Sequence, residues 1–184
     1  MGTKHFLSWV EIQAQSLRRR LALSPLARLD PFQLATRMGA KVILPSDIPG
    51  LNSNCLNQLL VADSNAWSAG SVRMPDGDVV IVLNPNHPET RKHATLMEEL
   101  SHIHLAHTPT QLIVIDGGPA FRSFKKTQET QAYWVGAAAL VPRAALERAK
   151  RNKADRQVLA KYFGVSRDLV AFRENVTGVR LSQR

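Results

Sequence analysis

The N-terminal part of the chain carries a helical hydrophobic pattern followed by an extended one. Apolar residues recur every three or four positions over residues 6–23, which predicts an amphipathic helix with Arg18-Arg19-Arg20 on or near its solvated side. Asp30 and Pro31 provide an N-cap and a first-turn proline for a short helix over residues 31–38. Residues 41–44 are mostly apolar and predict a first strand.

Extended segments are predicted in the next part of the chain. Residues 45–57 are rich in Pro, Ser and Asn and predict a loop, while residues 58–61 and 66–73 predict strands. Asp76-Gly77 is a tight-turn signal between residues 67–73 and residues 79–83, which predicts an antiparallel hairpin. The strand over residues 67–73 is also a candidate sheet edge to which an extended peptide could add.

Two strongly apolar helices are predicted in the second half of the chain. The first begins at Pro88 or Glu89, runs to about His107 and stops before the following proline. The second spans residues 127–140, and its small residues permit close packing against another helix. Between them, residues 112–115 predict a short strand and residues 116–119 a loop.

The C-terminal residues 158–170 have the pattern of a helix-turn-helix. An apolar helix is followed by Gly164 in the turn and by Ser166 as the cap of a second helix. The second helix mixes acidic with basic side chains: Arg167, Asp168, Arg173 and Glu174. Because this helix is not strongly basic, packing against the rest of the protein is at least as well supported as reading of DNA.

Composition narrows the class of protein. The chain has 184 residues, 44% of them hydrophobic, which is enough for one sizeable core. The formal net charge of +9 allows association with nucleic acid or an acidic protein, although the basic runs favour solvated helix faces. The single Cys55 cannot form an internal disulfide, so any metal must be held by His and carboxylates. The absence of a signal peptide or a long apolar run predicts a soluble cytoplasmic protein.

The segment Glu98-Glu99-Leu100-Ser101-His102 carries the candidate chemistry. On a helix, Glu98 and His102 lie one turn apart on one face, with Glu99 beside them. The arrangement is that of the zinc-binding H-E-x-x-H pattern, except that Glu98 occupies the position of the first His. A match this short often arises by chance, so two solvated glutamates and a core histidine are the alternative.

Glu129 is the candidate third ligand. A catalytic zinc site uses three protein ligands and one open position, and the third ligand often comes from a separate helix. Glu129 lies 27 residues after His102, on the same helical stripe as Gly136. A charged side chain on that stripe is costly to bury without a partner, which a metal would supply. Alternatively, Glu129 caps its helix or pairs with Lys125, and the spacing leaves both options open.

The remaining polar residues of the segment receive other roles. Glu99 is the candidate general base, because a carboxylate beside the metal can take a proton from water and deliver it to the leaving amine. The E-x-x-H spacing is also typical of di-iron carboxylate bundles, but those need a second E-x-x-H, and the sequence has no second copy. We expect His104 and His107 to point elsewhere on the helix, as cap or core residues.

Longer stretches of the sequence resemble the ImmA/IrrE family of metallo-endopeptidases. That family's pattern is a strand ending in Asn, an H-E-x-x-H helix, and an E-x-x-A helix that closes in a Leu-Leu-Met-Pro-like run. The order and spacing of these pieces are more specific than any single piece. The matching segments are residues 29–31, 34–35, 38–40, 80–84, 95–102, 129–132, 138–142 and 163–166, with Arg91, Val170 and Arg173.

The resemblance implies roles for individual residues. By position, His102 and Glu129 are metal ligands and Glu99 is the catalytic acid/base, with Gln131 the weaker alternative to Glu129. The chain departs from the family at Glu98, where the usual ligand is His. A carboxylate can still reach the ion, but its negative charge should weaken the pull of the metal on bound water. Zn²⁺ is the expected ion, oxygen ligands shift preference toward Mn²⁺ or another divalent ion, and hydrolysis is expected to be reduced or altered.

These observations predict an α+β protein with a small twisted mixed sheet. The resemblance implies a minimal zincin-like metallopeptidase domain, expected over residues 1–150, with residues 151–184 as a helix-turn-helix-like segment packed on it. The expected function is metal-dependent endopeptidase, and the resemblance implies a regulatory protein substrate such as a helix-turn-helix transcriptional repressor. Two alternatives remain: activity on another substrate with another metal, or a catalytically impaired DNA- or protein-binding regulator. Nucleic acid is a secondary partner, and no membrane partner is expected.

Overall fold

The computed structural model describes residues 3–74, 77–108, 111–114 and 120–182. Within these ranges the chain forms eight α-helices and five strands, so the predicted α+β fold class is confirmed. None of the helices in these ranges is both long enough and apolar enough to cross a membrane.

The first two helices pack their apolar stripes into the core. Helix α1 (Thr3–Arg19) buries Val10, Ala14 and Leu17, as its pattern predicts, although it ends before residue 23. Helix α2 (Pro31–Arg37) begins at its proline, and Oδ1 of Asp30 accepts a hydrogen bond from the N–H of Phe32 at 2.8 Å. Both predicted helices and the predicted cap are confirmed.

Three strands form a mixed sheet whose centre is β3 (Val79–Leu83). Strand β1 (Ala40–Ile43) runs parallel to β3, and strand β2 (Ala69–Arg73) runs antiparallel to it, which gives the order β1-β3-β2. The predicted hairpin is therefore confirmed, although residue 76 of its turn signal lies outside the described residues. As expected, β2 is an edge strand of this sheet.

The segment before β2 differs from the prediction. The pattern predicts a loop over residues 45–57 and a strand over residues 58–61. Instead, the chain forms a 3-10 turn at Pro45–Asp47, helix α3 (Ser53–Asn57) and a π-helical turn at Gln58–Ala62. Both predictions are therefore wrong in this segment.

Side-chain hydrogen bonds explain the helical geometry of this segment. Asn52 caps α3, since its Oδ1 accepts from the N–H of Cys55 at 2.8 Å. In the π-helical turn, the carbonyl of Leu59 accepts from Nε1 of Trp67 at 2.8 Å. A short apolar run does not distinguish a strand from a helix by periodicity, and here the Trp67 side chain provides a hydrogen bond to the backbone of the turn.

The two predicted apolar helices are present. Helix α4 (Glu89–His104) ends three residues before the predicted His107, and helix α5 (Lys126–Leu140) has the expected extent. Between them, β4 (Gln111–Val114) agrees with the predicted strand and pairs antiparallel with β5 (Ala120–Ser123), which the pattern does not predict. Strand β5 also lies alongside β2. The predicted loop over residues 116–119 lies outside the described residues.

Three further helices complete the chain: α6 (Arg143–Arg151), α7 (Arg156–Phe163) and α8 (Arg167–Thr177). The turn between α7 and α8 is as predicted, since Gly164 has a φ of 67° and Oγ of Ser166 accepts from the N–H of Leu169 at 3.1 Å. Helix α8 contacts α5 and α6. The division into residues 1–150 and 151–184 stays a prediction.

Two buried arginines hold the C-terminal end of α5. Arg18 of α1, only 2% exposed, donates through Nη1 to the carbonyl of Ala139 at 2.7 Å. Arg173 of α8 donates through Nε to the carbonyl of Val141 at 3.0 Å and pairs with Glu11. The last carbonyls of a helix lack intrahelical partners and carry partial negative charge, so they attract cations. The prediction of a solvated Arg18 is therefore wrong, whereas the packing role of α8 is supported.

Helices α4 and α5 pack side by side at Gly136. A Cβ added at Gly136 would lie 3.1 Å from the carbonyl carbon and oxygen of Met97, and 3.3 Å from the backbone nitrogen of Glu98. Ala132 and Ala139 on the same helix are fully buried. The predicted close packing of the small-residue helix is therefore present, and it occurs at the turn of α4 that precedes His102.

Gly136→Val should lower the free energy of unfolding by about 3 kcal/mol, because the new side chain would press on backbone atoms of α4 that cannot rotate away. Urea denaturation measures this change. Thr130→Val places the same β-branched residue on the exposed side of α5 and should change stability by less than about 0.5 kcal/mol. Equal, small effects of the two substitutions would show that the helices do not depend on this close approach.

Candidate metal centre

His102 and Glu129 meet across the interface of α4 and α5. His102 is near the end of α4 and is 4% exposed, while Glu129 is in the first turn of α5. Nε2 of His102 lies 3.2 Å from Oε2 of Glu129. Two ligands at about 2.0–2.1 Å from one tetrahedral ion would stand roughly 3.3 Å apart, so the contact has the separation of two donors that share a cation.

Phe124 fixes the orientation of the His102 ring. It lies just before α5, and its ring stacks on that of His102 with centroids 3.8 Å apart and an interplanar angle of 25°. A backbone hydrogen bond from Phe124 also reaches Glu129. Phe124 therefore contacts both candidate ligands, His102 and Glu129. Sequence reasoning missed Phe124, because a single aromatic residue in a loop carries no pattern that would indicate this role.

His107 folds back onto His102, contrary to the prediction that it points elsewhere. Ala106 has a positive φ of 52°, and the N–H of His107 donates to the carbonyl of His102 at 3.0 Å. With the bond from the N–H of Ala106 to Ile103, this is a Schellman ending of α4. As a result, Nδ1 of His107 lies 3.0 Å from Nδ1 of His102. The prediction assumed that the helix continues to residue 107.

The other polar residues of the segment lie around this pair. Glu98 and Glu99 are half-buried one turn before His102, and the charges of Glu129 and Glu99 both act on Glu98. Gln131, the weaker candidate ligand, contacts His107 instead: its Oε1 lies 3.1 Å from Nε2 of His107. His104 faces α1, with Nε2 at 3.1 Å from Oε1 of Gln13, and is not part of the cluster.

The two site helices fall within a family match. A model of the IrrE N-terminal-like domain, the Peptidase_M78 family, matches residues 58–175, more than half of the chain. The chain belongs to this family. The resemblance to the ImmA/IrrE family is thereby confirmed, and membership supports a metal-dependent, protease-like function. Comparison with curated proteins gives no significant match.

A solved structure of a Mycobacterium tuberculosis transcriptional regulator is similar in fold to this IrrE-like chain. The TM-score is 0.54 and the sequence identity 14%, over 95% of this chain and 47% of the other. The chain therefore spans about half the length of that regulator's structure. At this level of identity the likeness shows the fold alone.

Burial sets the protonation of the two facing donors in the IrrE-like site. Burial, with a smaller contribution from His107, lowers the pKa of His102 to about 3, so the ring is neutral at pH 7. Burial likewise lowers the pKa of His107. Although 44% of the Glu129 side chain is exposed, burial raises its pKa, and the backbone bond from Phe124 opposes this. A neutral imidazole is the form that binds metal.

The carboxylate of Glu98 is strongly perturbed. Burial, followed by the negative charges of Glu129 and Glu99, raises the pKa of Glu98 from 4.5 to about 7. In turn, burial and the charge of Glu98 raise the pKa of Tyr133, one turn after Glu129 on α5. Two carboxylates thus act on the Glu98 carboxyl, and either a proton or a cation relieves the repulsion.

The residues of the IrrE-like site fit a divalent cation, with one adjustment. His102 and Glu129 already present a donor pair, and one neutral imidazole with carboxylates is a donor set that suits Zn²⁺ or Mn²⁺. Among the described residues, no three His, Cys, Asp or Glu side chains form a ready-made cluster. Glu98 must therefore turn toward the pair to supply a third ligand.

Glu98→Gln should stabilise the metal-free protein at alkaline pH. Because the folded-state pKa of Glu98, about 7, exceeds the ordinary 4.5, the folded state binds more protons between these values, and stability falls as the pH rises through this window. At pH 8 the variant should gain about 2 kcal/mol, less than the full shift implies because solvent still reaches the side chain. At pH 4 the gain should vanish.

Urea denaturation in the presence of EDTA at pH 4 and pH 8 tests this prediction. Glu147→Gln, on the surface of α6, is the control and should change stability by less than about 0.5 kcal/mol at either pH. A Glu98→Gln variant with the same pH dependence as wild type would contradict the perturbed state of Glu98.

Proposed function

We propose that this IrrE N-terminal-like chain is a metal-dependent endopeptidase that cleaves a regulatory protein, such as a helix-turn-helix transcriptional repressor. The observation that carries the proposal is the 3.2 Å contact between Nε2 of His102 and Oε2 of Glu129, on the two helices that belong to the family match. Family membership supports the metal-dependent, protease-like class.

His102, Glu129 and Glu98 would hold the cation, which we take to be Zn²⁺, with Mn²⁺ or another divalent ion as the alternative. When bound, the cation supplies a Lewis acid for a peptide carbonyl. Phe124 keeps the His102 ring in place through its stacking contact. The buried end of α4 limits the access of bulk water to His102.

Glu99 is the proposed general base. It lies on the same helix as His102, and its charge acts on neighbouring Glu98. In the proposed reaction, the oxygen of a water attacks the peptide carbonyl carbon and Glu99 takes the proton of that water. As the carbon–nitrogen bond breaks, Glu99 passes the proton to the leaving amine nitrogen. Glu98, by contrast, is assigned to the cation and not to proton transfer.

Several features bear on the substrate. A protease-like family implies a protein substrate, and the choice of a transcriptional repressor rests on the ImmA/IrrE resemblance. An extended peptide could add to the edge of the sheet at β2, the strand that also contacts β5. A cytoplasmic location stays a prediction from the sequence.

A second candidate function is that of a regulator without catalysis. Glu98 replaces the usual first His, and the described residues contain no ready-made cluster of three ligands. Helices α7 and α8 and the net charge of +9 would then serve binding to protein or, secondarily, to DNA. Duplex binding that weakens steeply with salt would favour this candidate.

The two functions are separated by metal analysis together with cleavage of candidate repressors. We expect wild type to bind one equivalent of Zn²⁺ or Mn²⁺ and to cleave. Glu99→Gln should keep the metal and lose at least about 100-fold in rate, because it removes the proton acceptor. Glu98→His should bind Zn²⁺ more tightly, since it restores the usual ligand. Glu147→Gln, on the surface of α6, is the control.

One set of results would instead favour the regulator without catalysis. If wild type bound no metal and cleaved nothing, while Glu98→His gained both metal and cleavage, the chain would be a member whose catalysis is lost at residue 98. The regulator would then be the correct function.

A further inference from the structure

A chain of three side-chain contacts leads away from Glu129. Oε2 of Glu129 lies 3.2 Å from Nε2 of His102, and Nδ1 of His102 lies 3.0 Å from Nδ1 of His107. At the other end, Nε2 of His107 lies 3.1 Å from Oε1 of Gln131. Glu129 and Gln131 both belong to α5, so the two histidines close a ring between α4 and α5.

The Gln131 amide, at one end of this series of contacts, determines the direction of its hydrogen bonds. A neutral imidazole has one N–H donor and one acceptor nitrogen. Because an amide oxygen of Gln131 faces His107, Nε2 of His107 carries the hydrogen and donates, and its Nδ1 accepts. His102 must then donate from Nδ1. The remaining nitrogen, Nε2 of His102, keeps its lone pair and faces Oε2 of Glu129, so two acceptors lie 3.2 Å apart with no hydrogen between them, an arrangement that a cation would stabilise.

If the hydrogen bonds run in the opposite direction, Nε2 of His102 carries a hydrogen and is not available to a cation. If the Gln131 amide turned by half a rotation, its NH₂ would donate to Nε2 of His107, and every hydrogen along the chain would move to the other nitrogen. Nε2 of His102 would then donate to Glu129. In that state the two candidate metal ligands, His102 and Glu129, are hydrogen-bonded to each other, and Nε2 of His102 has no lone pair to offer a cation.

We propose that His107 and Gln131 are positioning residues that set the tautomer of His102, so that the orientation of the Gln131 amide decides whether Nε2 is available to a divalent cation. The inference rests on the ligand pair of the proposed function and assigns new roles to two residues that are not ligands. A ligand histidine is commonly oriented by a hydrogen bond from its other ring nitrogen. Here the partner is a second imidazole, which can either accept or donate.

The backbone at the end of α4 supports this role. Ala106 takes a positive φ of 52°, which costs a residue with a side chain roughly 1 kcal/mol, and this conformation returns His107 to His102. Phe124 stacks on His102 and lies near His107, with centroids 6.4 Å apart. The backbone and Phe124 thus hold both imidazole rings in one arrangement. The two states differ in which ring nitrogens carry the hydrogens, and not in the positions of the rings.

The test measures tautomers directly in the metal-free protein. Long-range proton–nitrogen NMR on the full chain labelled with ¹⁵N-histidine, with EDTA at pH 7.5, distinguishes an imidazole with hydrogen on Nδ1 from one with hydrogen on Nε2. We expect His102 to carry it on Nδ1 in wild type and in Gln131→Glu, which offers only acceptors. Gln131→Met removes the partner and should give a mixture, as should His107→Phe.

Zinc affinity provides the second readout. In competition with a chromophoric chelator, Gln131→Met and His107→Phe should bind Zn²⁺ about 10-fold more weakly than wild type. His104→Phe is the matched control, because His104 lies outside the chain of contacts and should leave the affinity and the His102 tautomer unchanged. Should His107→Phe fail to fold, the half-buried Gln131→Met carries the test.

The two readouts separate this inference from the proposed function. The same His102 tautomer in wild type, Gln131→Met and His107→Phe would overturn the positioning role, whatever the zinc affinity. Wild type that binds no Zn²⁺, but whose His102 tautomer shifts in Gln131→Met, would overturn the proposed function and retain the coupling of Gln131 to His102.

Discussion

The close packing of α4 against α5 is the constraint on which the candidate site depends. Because Gly136 has no side chain, the two helices approach at the turn of α4 before His102. This approach sets His102 opposite the first turn of α5, which carries Glu129. At the other end of α5, the buried Arg18 and Arg173 bind its last carbonyls. The core of the protein thus positions the two helices that carry His102 and Glu129.

Compared with the histidine that is usual in the family, glutamate at residue 98 changes the electrostatics of the site more than its geometry. The side chain keeps the helical position of a ligand, but it adds a negative charge beside Glu129 and Glu99. Without a cation, burial and repulsion hold the pKa of Glu98 near 7, so a proton relieves the repulsion. If Glu98 and Glu129 hold a dipositive ion, as proposed, their two charges would offset that of the metal and weaken its action as a Lewis acid. Protons and metal would then compete for one site.

Local patterns predicted most helices and the hairpin, because helical spacing and turn residues are readable along the chain. They left the role of Glu129 open, and the family resemblance implied that it shares a site with His102, from which it lies 3.2 Å. The wrong predictions depend on contacts and backbone conformations that the hydrophobic pattern does not reveal. The π-helical turn at Gln58–Ala62 is bonded to a tryptophan outside it, and Arg18 is buried because the end of α5 lies beneath it. His107 was misplaced since a positive φ at an alanine, unlike a glycine, leaves no signal in the sequence.

A crystal structure of the protein soaked in Zn²⁺, with anomalous diffraction recorded at the zinc edge, tests the proposed site directly. We expect one strong peak between Nε2 of His102 and Oε2 of Glu129, with the Glu98 carboxylate turned toward it as the third ligand. Glu99 should lie near the ion without binding it. An empty site at saturating Zn²⁺, with Nε2 of His102 still 3.2 Å from Oε2 of Glu129, would show that this pair is not a metal site.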